Sequence, residues 1–284
     1  MKINVVLCSI VVAGMFFFSA CNSGSTKKAD STASDSLASS SAARDTSIGN
    51  DGGIPIFYNM YLSVEMTSLF QSIGATYNEK LLNSPDKVVS YNASTAKALN
   101  LGVYAVDLSY AKYFDQFQPA GKYLKNMHKL AIDLGIPDDK FILSLKRIET
   151  NLTNKDSLIK IANELYTTTE DYLNKNERGS SAALIIAGGW IEALNIASNL
   201  VNKQSKDIEL LERISDQKNS LDNLISLLKK YENEKVVKEY LAKLFDLKTS
   251  FTKFSVDEKN LDATYKQLND ISIKIQSLRK EVVS

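Results

Sequence analysis

The chain of 284 residues holds one histidine, two cysteines, one tryptophan and four prolines. Both cysteines, Cys8 and Cys21, fall within the first 21 positions, so everything beyond carries no thiol. These shortages exclude whole classes of chemistry. One histidine cannot build a His-rich metal centre, and a Cys–His nucleophilic dyad has no thiol to use. No metal site is expected. With no disulfide in the body of the chain, stability has to come from an ordinary apolar core. His128 itself sits among Lys125, Asn126 and Lys129, the company of a helix surface. No phosphate-cradling glycine loop occurs, because Gly188-Gly189 is not followed by Lys-Ser/Thr. No cofactor is therefore expected. The 34 basic and 33 acidic residues nearly cancel, with no local block of Lys or Arg, so a nucleic-acid partner is not expected either. Asp138-Asp139 and Glu170-Asp171 are formal carboxylate pairs for a hydrolase. They read more simply as a helix start and a solvated face.

What is present begins at the N-terminus. Lys2 is followed by an uncharged apolar stretch from Val5 to Phe18, then Ser19-Ala20-Cys21 and a polar, Ser-rich tract. Charged start, apolar core and small residues before a cut form the secretory pattern. The run is short for a membrane span, which needs about 20 residues, so an uncleaved anchor is disfavoured. Cleavage by an ordinary signal peptidase is the other alternative, and it would leave Cys21 as a lone thiol. The terminal cysteine makes the segment resemble the lipobox of bacterial lipoproteins, although Phe18 stands where Leu is commonest. The resemblance implies that residues 1–20 are a signal peptide, that Cys21 is diacylated, and that the acyl chains are the attachment to membrane. Asn22 in place of Asp implies the outer membrane, facing the periplasm, with the leaflet left open. Two acyl chains at about 0.8 kcal/mol per buried CH₂ are enough for stable anchoring.

Residues 22–52 are almost wholly Ser, Ala, Thr, Asp, Gly and Lys, with Leu37 and Ile48 the large apolar exceptions. Such a segment cannot bury enough surface to offset its ordering entropy. It is expected to be a disordered tether with an r.m.s. reach of roughly 30 Å. From residue 53 to 284 the pattern is helical and predicts an all-α, antiparallel bundle of about nine helices. The expected helices run over 55–74, 94–118, 119–134, 138–151, 154–176, 182–201, 210–231, 237–254 and 261–282. A shorter segment spans 77–83, and Gly179-Ser180-Ser181 marks a break that divides the domain into two halves. The last three helices carry apolar residues at alternating steps of four and three, as in Leu210, Ile214, Gln217, Leu221, Leu224 and Leu228. That spacing keeps one seam facing a neighbour. Short connections favour packing within the chain over an intermolecular coiled coil.

Two segments stand out. In the helix over 94–118, Asp107 projects within the greasy half beside Ala111 and Phe114. A buried unpaired charge is costly, and Tyr104 and Tyr110, three residues to either side, are its expected hydrogen-bond donors. In the helix over 182–201, Gly188-Gly189 sits in the interior, where each glycine costs about 1 kcal/mol relative to alanine. A close neighbouring backbone or a ligand explains that tolerance. Ser181, Gly188, Glu192, Asn195 and Asn199 share one stripe, which either faces solvent or lines an internal polar groove. Tyr104, Asp107, Tyr110, Gly188, Glu192 and Asn195 are thus the candidate pocket residues. Gly102 and Gly188, Tyr104 and Trp190, Leu108 and Leu194, and Ala111 and Ala197 are all separated by 86 positions, a hint of internal duplication. Residues 101–111 and 187–197 resemble stretches of uncharacterised, wholly helical bacterial lipoproteins, which implies a fold and an address without an activity. The expected role is a non-enzymatic domain that binds a small ligand or an envelope protein. A structural or adaptor subunit and a carboxylate-dependent hydrolase are the alternatives.

The leader generates one direct prediction. Cys21→Ser should abolish incorporation of a fatty-acid probe and leave an unprocessed precursor; unchanged labelling would defeat the lipobox reading.

Overall fold

Apolar residues recurring at steps of three and four wind the chain into helices, and no strand occurs among the described residues. A computed structural model describes residues 73–137, 178–204 and 207–284, with single positions between 139 and 176. The leader, Cys21, the tether and nearly all of the expected helix over 55–74 lie outside the described residues, as does most of 138–176. Six α-helices are described: α1 (Ser94–Tyr113), α2 (Phe117–Asp133), α3 (Gly179–Leu200), α4 (Ile208–Lys229), α5 (Lys235–Lys253) and α6 (Leu261–Val282). Two 3₁₀ turns, Glu79–Leu81 and Pro85–Ser90, precede α1. The fold is an all-α bundle, as the periodicity predicts.

Many apolar residues of the C-terminal helices are buried, while Tyr231, Tyr240 and Leu261 are half-buried. Leu210, Ile214, Gln217, Leu221, Leu224 and Leu228 of α4 are all buried, as are Val237, Leu244, Leu247 and Phe251 of α5 and Leu268, Ile271, Ile275 and Leu278 of α6. Ion pairs fix the register between α5 and α6. Lys274 meets Asp246 at 3.0 Å and Lys243 meets Glu281, a descending match that makes the two helices antiparallel.

Two boundaries depart from the sequence reading. The helix expected to run to 118 ends at Tyr113. Asp115 takes a left-handed conformation (φ 56°), and Gln116 N–H donates to Ala111 O at 2.9 Å while Asp115 N–H donates to Lys112 O at 3.1 Å. These are the two bonds of a Schellman cap, here built on Asp in place of the usual Gly. Pro119 therefore lies in the first turn of α2 as its third residue, where a missing N–H is harmless. The α2 terminus is the form the sequence announces: Gly135 has φ 75°, and Ile136 N–H donates to Ala131 O at 2.9 Å. At the other departure, the break lies slightly earlier, at Asn176 and Arg178, and Gly179-Ser180-Ser181 is the first turn of α3. Both serines are buried there, and Ser180 donates to Glu234 at 2.7 Å.

The tightest approach is between α1 and α3. A β-carbon added at Gly102 would lie 1.9 Å from the Ile185 carbonyl oxygen, and one at Gly188 would lie 1.9 Å from that of Leu99. The contact is reciprocal: Ile185 and Gly188 each stand 86 positions after Leu99 and Gly102. Five residues past Gly102, Asp107 meets Glu192, four past Gly188, so the helices run in the same direction. By length and composition α3 alone among the described helices is apolar enough to cross a membrane, yet 89% of its apolar stretch is buried inside the fold. It is a core helix.

Alanine at Gly188 sets two effects against each other. Helix propensity favours it by about 1 kcal/mol. Driving a methyl into an immovable backbone carbonyl costs more, since overpacking typically costs about 1–3 kcal/mol and occasionally more. Gly188→Ala should therefore show a net loss of stability in urea melts, and a net gain would contradict the observed contact.

Candidate functional site

Because α1 and α3 touch at Gly102 and Gly188, the carboxyl groups one turn further on are pressed together. Asp107 and Glu192 are both 0% exposed and lie within hydrogen-bonding reach of one another. Arg279, from α6, closes the group. Its Nε donates to Glu192 Oε2 at 2.5 Å and its NH2 to Oε1 at 2.7 Å, the two-pronged geometry that suits a guanidinium to a carboxylate. The same NH2 also donates to Leu81 O at 2.9 Å. Asp107 Oδ2 accepts the Asn83 N–H at 3.2 Å. Four parts of the chain thus converge: the segment before α1, then α1, α3 and α6.

A shell of amides and phenols surrounds this centre. Asn83 Nδ2 donates to Tyr91 Oη at 3.0 Å and to Asn100 Oδ1 at 3.2 Å. Asn100 Nδ2 in turn reaches Val282 O at 2.7 Å, and Lys87 Nζ reaches Val283 O at 2.6 Å, so both cap the last carbonyls of α6. Tyr123 donates to Asn83 O at 3.1 Å. The rings of Tyr91, Tyr104 and Tyr123 pack in series, with centroids 6.3 and 5.7 Å apart. Two buried acceptors within this shell, Asp107 Oδ1 and Asn83 Oδ1, receive no donor.

Burial sets the electrostatics. Desolvation pushes the Asp107 carboxyl well above the ordinary carboxylate range, and the facing charge of Glu192 pushes it further than Arg279 pulls it back. Glu192 is also raised by burial, but its bonds to Arg279 oppose the rise. Pairing with Glu192 raises Arg279 against the effect of its own burial. Burial likewise raises the hydroxyls of Tyr91, Tyr104 and Tyr123.

The candidate residues read from the sequence divide accordingly. Asp107, Glu192 and Gly188 come together, the glycine making the close approach that was expected of it. The small-and-polar stripe of α3 does not face solvent: Ser181, Gly188, Glu192 and Asn195 are buried, and only Asn199 is exposed. Tyr104 and Tyr110 are near but do not hold Asp107. Tyr104 donates to Ser84 O at 3.0 Å, and the Tyr110 hydroxyl meets the backbone of Thr76 and Asn78. A tyrosine carries its hydroxyl past a neighbour on its own helix, which is why three-residue spacing misleads here. Asn195 lies one turn beyond Glu192 and accepts from Asn199, at 2.7 Å through its carbonyl. Sequence reasoning missed Arg279, Asn83 and Asn100. For Arg279 a signal existed: it stands four residues after Ile275 and three before Val282, on the buried face of α6.

Among the described residues no group of three His, Cys, Asp or Glu side chains is arranged to hold a metal ion. Comparison with known proteins finds no family model, no curated protein and no solved structure that matches the chain.

Truncating either end of the cluster should be costly. Arg279→Ala leaves Glu192 buried without its cation and should lose about 3–5 kcal/mol. Asp107→Ala removes the acceptor for Asn83 N–H and should lose about 1–3 kcal/mol. Urea denaturation of the two variants checks both values; losses under about 0.5 kcal/mol, the range of ordinary surface substitutions, would contradict the clamp.

Proposed function

We propose that this chain is a lipid-anchored protein of the bacterial envelope, held by acylated Cys21 at the periplasmic side of the outer membrane. Its helical domain, carried on the tether of residues 22–52, is non-enzymatic and binds an envelope partner through its outer surface. The observation that carries the choice of a partner over a small ligand is the closure of the central cluster. Asp107 and Glu192, the groups best placed to line a pocket, are fully buried and taken up by one another, by Arg279 and by Asn83. A carboxylate pair that solvent does not reach also argues against its use in polymer hydrolysis, which needs water and substrate at the carboxyls. The cluster reads as the internal clamp of a rigid module.

Recognition then falls to exposed side chains. Val89, Phe117 and Ile273 are large apolar residues that stand open to solvent. Photo-cross-linking amino acids at these three positions, introduced in cells, test the reading. A discrete adduct of higher mass that disappears in the Cys21→Ser background is the expected result. Absence of adducts from all three positions, together with retention of a small molecule by the purified protein that is lost in Asp107→Ala, would favour the pocket instead.

A further inference from the structure

The buried cluster holds two carboxyl groups and one guanidinium, and this imbalance has to be settled by something. Arg279 directs Nε and NH2 at Glu192, so the single cation is committed to that carboxylate. Asp107 receives one backbone N–H on Oδ2, while Oδ1, fully buried, receives no donor. An ionised carboxylate in that position would face a second carboxylate with a bare oxygen, the arrangement that makes paired acids share a proton. We propose that Asp107 and Glu192 form a binding site for one proton, held at neutral pH on Asp107 Oδ1 and donated to the Glu192 carboxylate.

The proton completes the donor count. Protonated Asp107 accepts from Asn83 N–H with one oxygen and donates with the other, and Glu192 remains the anion that Arg279 requires. The other groups facing Asp107 do not take over this role. Tyr77 and Tyr91 before α1, Tyr104 on α1 and Tyr123 on α2 all feel its charge and burial keeps their hydroxyls protonated, but none of them donates to Asp107, since Tyr104 donates to Ser84 O and Tyr123 to Asn83 O. Glu192 from α3 and Arg279 from α6 are the charged groups acting on it.

The site makes the clamp responsive to pH. Asp107 is raised in the folded chain above its unfolded value of about 3.9. Its contribution to stability is therefore complete below that value and is lost as pH rises toward the folded value. Loss of the proton sets a second buried anion against Glu192 and so weakens the contact between α1 and α3. The effect couples proton occupancy to the α1–α3 crossing.

Asn is the near-isosteric stand-in for protonated Asp: its carbonyl accepts from Asn83 N–H and its amide donates to Glu192. Asp107→Asn and wild type should be compared by urea denaturation from pH 5 to 9. The ratio of their folding constants should shift in favour of the variant by up to about tenfold per pH unit, ~1.4 kcal/mol, until folded Asp107 titrates. In parallel, the infrared spectrum of the full wild-type domain at pH 7 should contain a protonated-carboxyl carbonyl band that shifts on deuteration. Parallel pH profiles for the two proteins, or a wild-type spectrum without that band, would each overturn the proposal. The spectrum decides the matter even if the variant does not fold.

Discussion

The structure depends on two helix backbones being allowed to touch. At Gly102 and Gly188 there is no room for even one added carbon, so α1 and α3 approach as closely as helices can. The polar centre around Asp107 follows from that approach. The approach brings Asp107 against Glu192, which no arrangement of larger residues at the crossing would do. The two acids then require a cation and further donors, because buried charge without partners is expensive. Arg279 and the Asn83 backbone meet part of that requirement, leaving Asp107 Oδ1 without a donor, and in doing so they tie the last helix and the segment before α1 to the central pair.

Such a cluster is not in itself a large source of stability. Replacing a buried ion pair by well-packed apolar groups is often neutral or favourable, whereas removing one partner is strongly unfavourable. Its value here lies in selecting one arrangement. Heptad seams on α4, α5 and α6 could slide by a turn and still bury apolar surface, but a two-pronged Arg279–Glu192 contact has one register. Lys87 and Asn100 add to this by capping the final carbonyls of α6. Residues around 81–87 and 279–283 are thereby joined, although nearly 200 positions separate them along the chain. Long closures of this kind cost little more than moderate ones, since the entropy grows only with the logarithm of length.

How far the sequence discloses this differs by region. Helix type is legible wherever steps of three and four persist, as in α4 to α6, because burial of one stripe is decided locally. Gly188 was legible as a close approach and Asp107 as an acid on an apolar face. Glu192 shares the candidate pocket with Asp107 in the sequence, but tyrosines on the same helix are the expected bonding partners there, and the cation that completes the pair comes from a helix 172 positions later. Nothing local distinguishes Arg279 from a solvated arginine except its spacing from Ile275 and Val282. The α1 terminus was misread for a different reason: Asp115 adopts a left-handed cap that is usually marked by glycine or asparagine. Asn100, Tyr104 and Asp107 share one face of α1 at steps of four and three, and that polar stripe through an apolar helix was the overlooked sign of an internal network.

If the glycine contact positions the carboxyl cluster, the two features must be energetically coupled. A double-mutant cycle between Gly188→Ala and Arg279→Ala measures this most directly, by urea denaturation of the wild type, both single variants and the double variant. Once the helices are forced apart, Arg279 should have less left to hold. The double variant should then lose less than the sum of the single losses, with a coupling of about 1 kcal/mol or more. Additivity within ~0.5 kcal/mol, as for independent sites, would contradict the account.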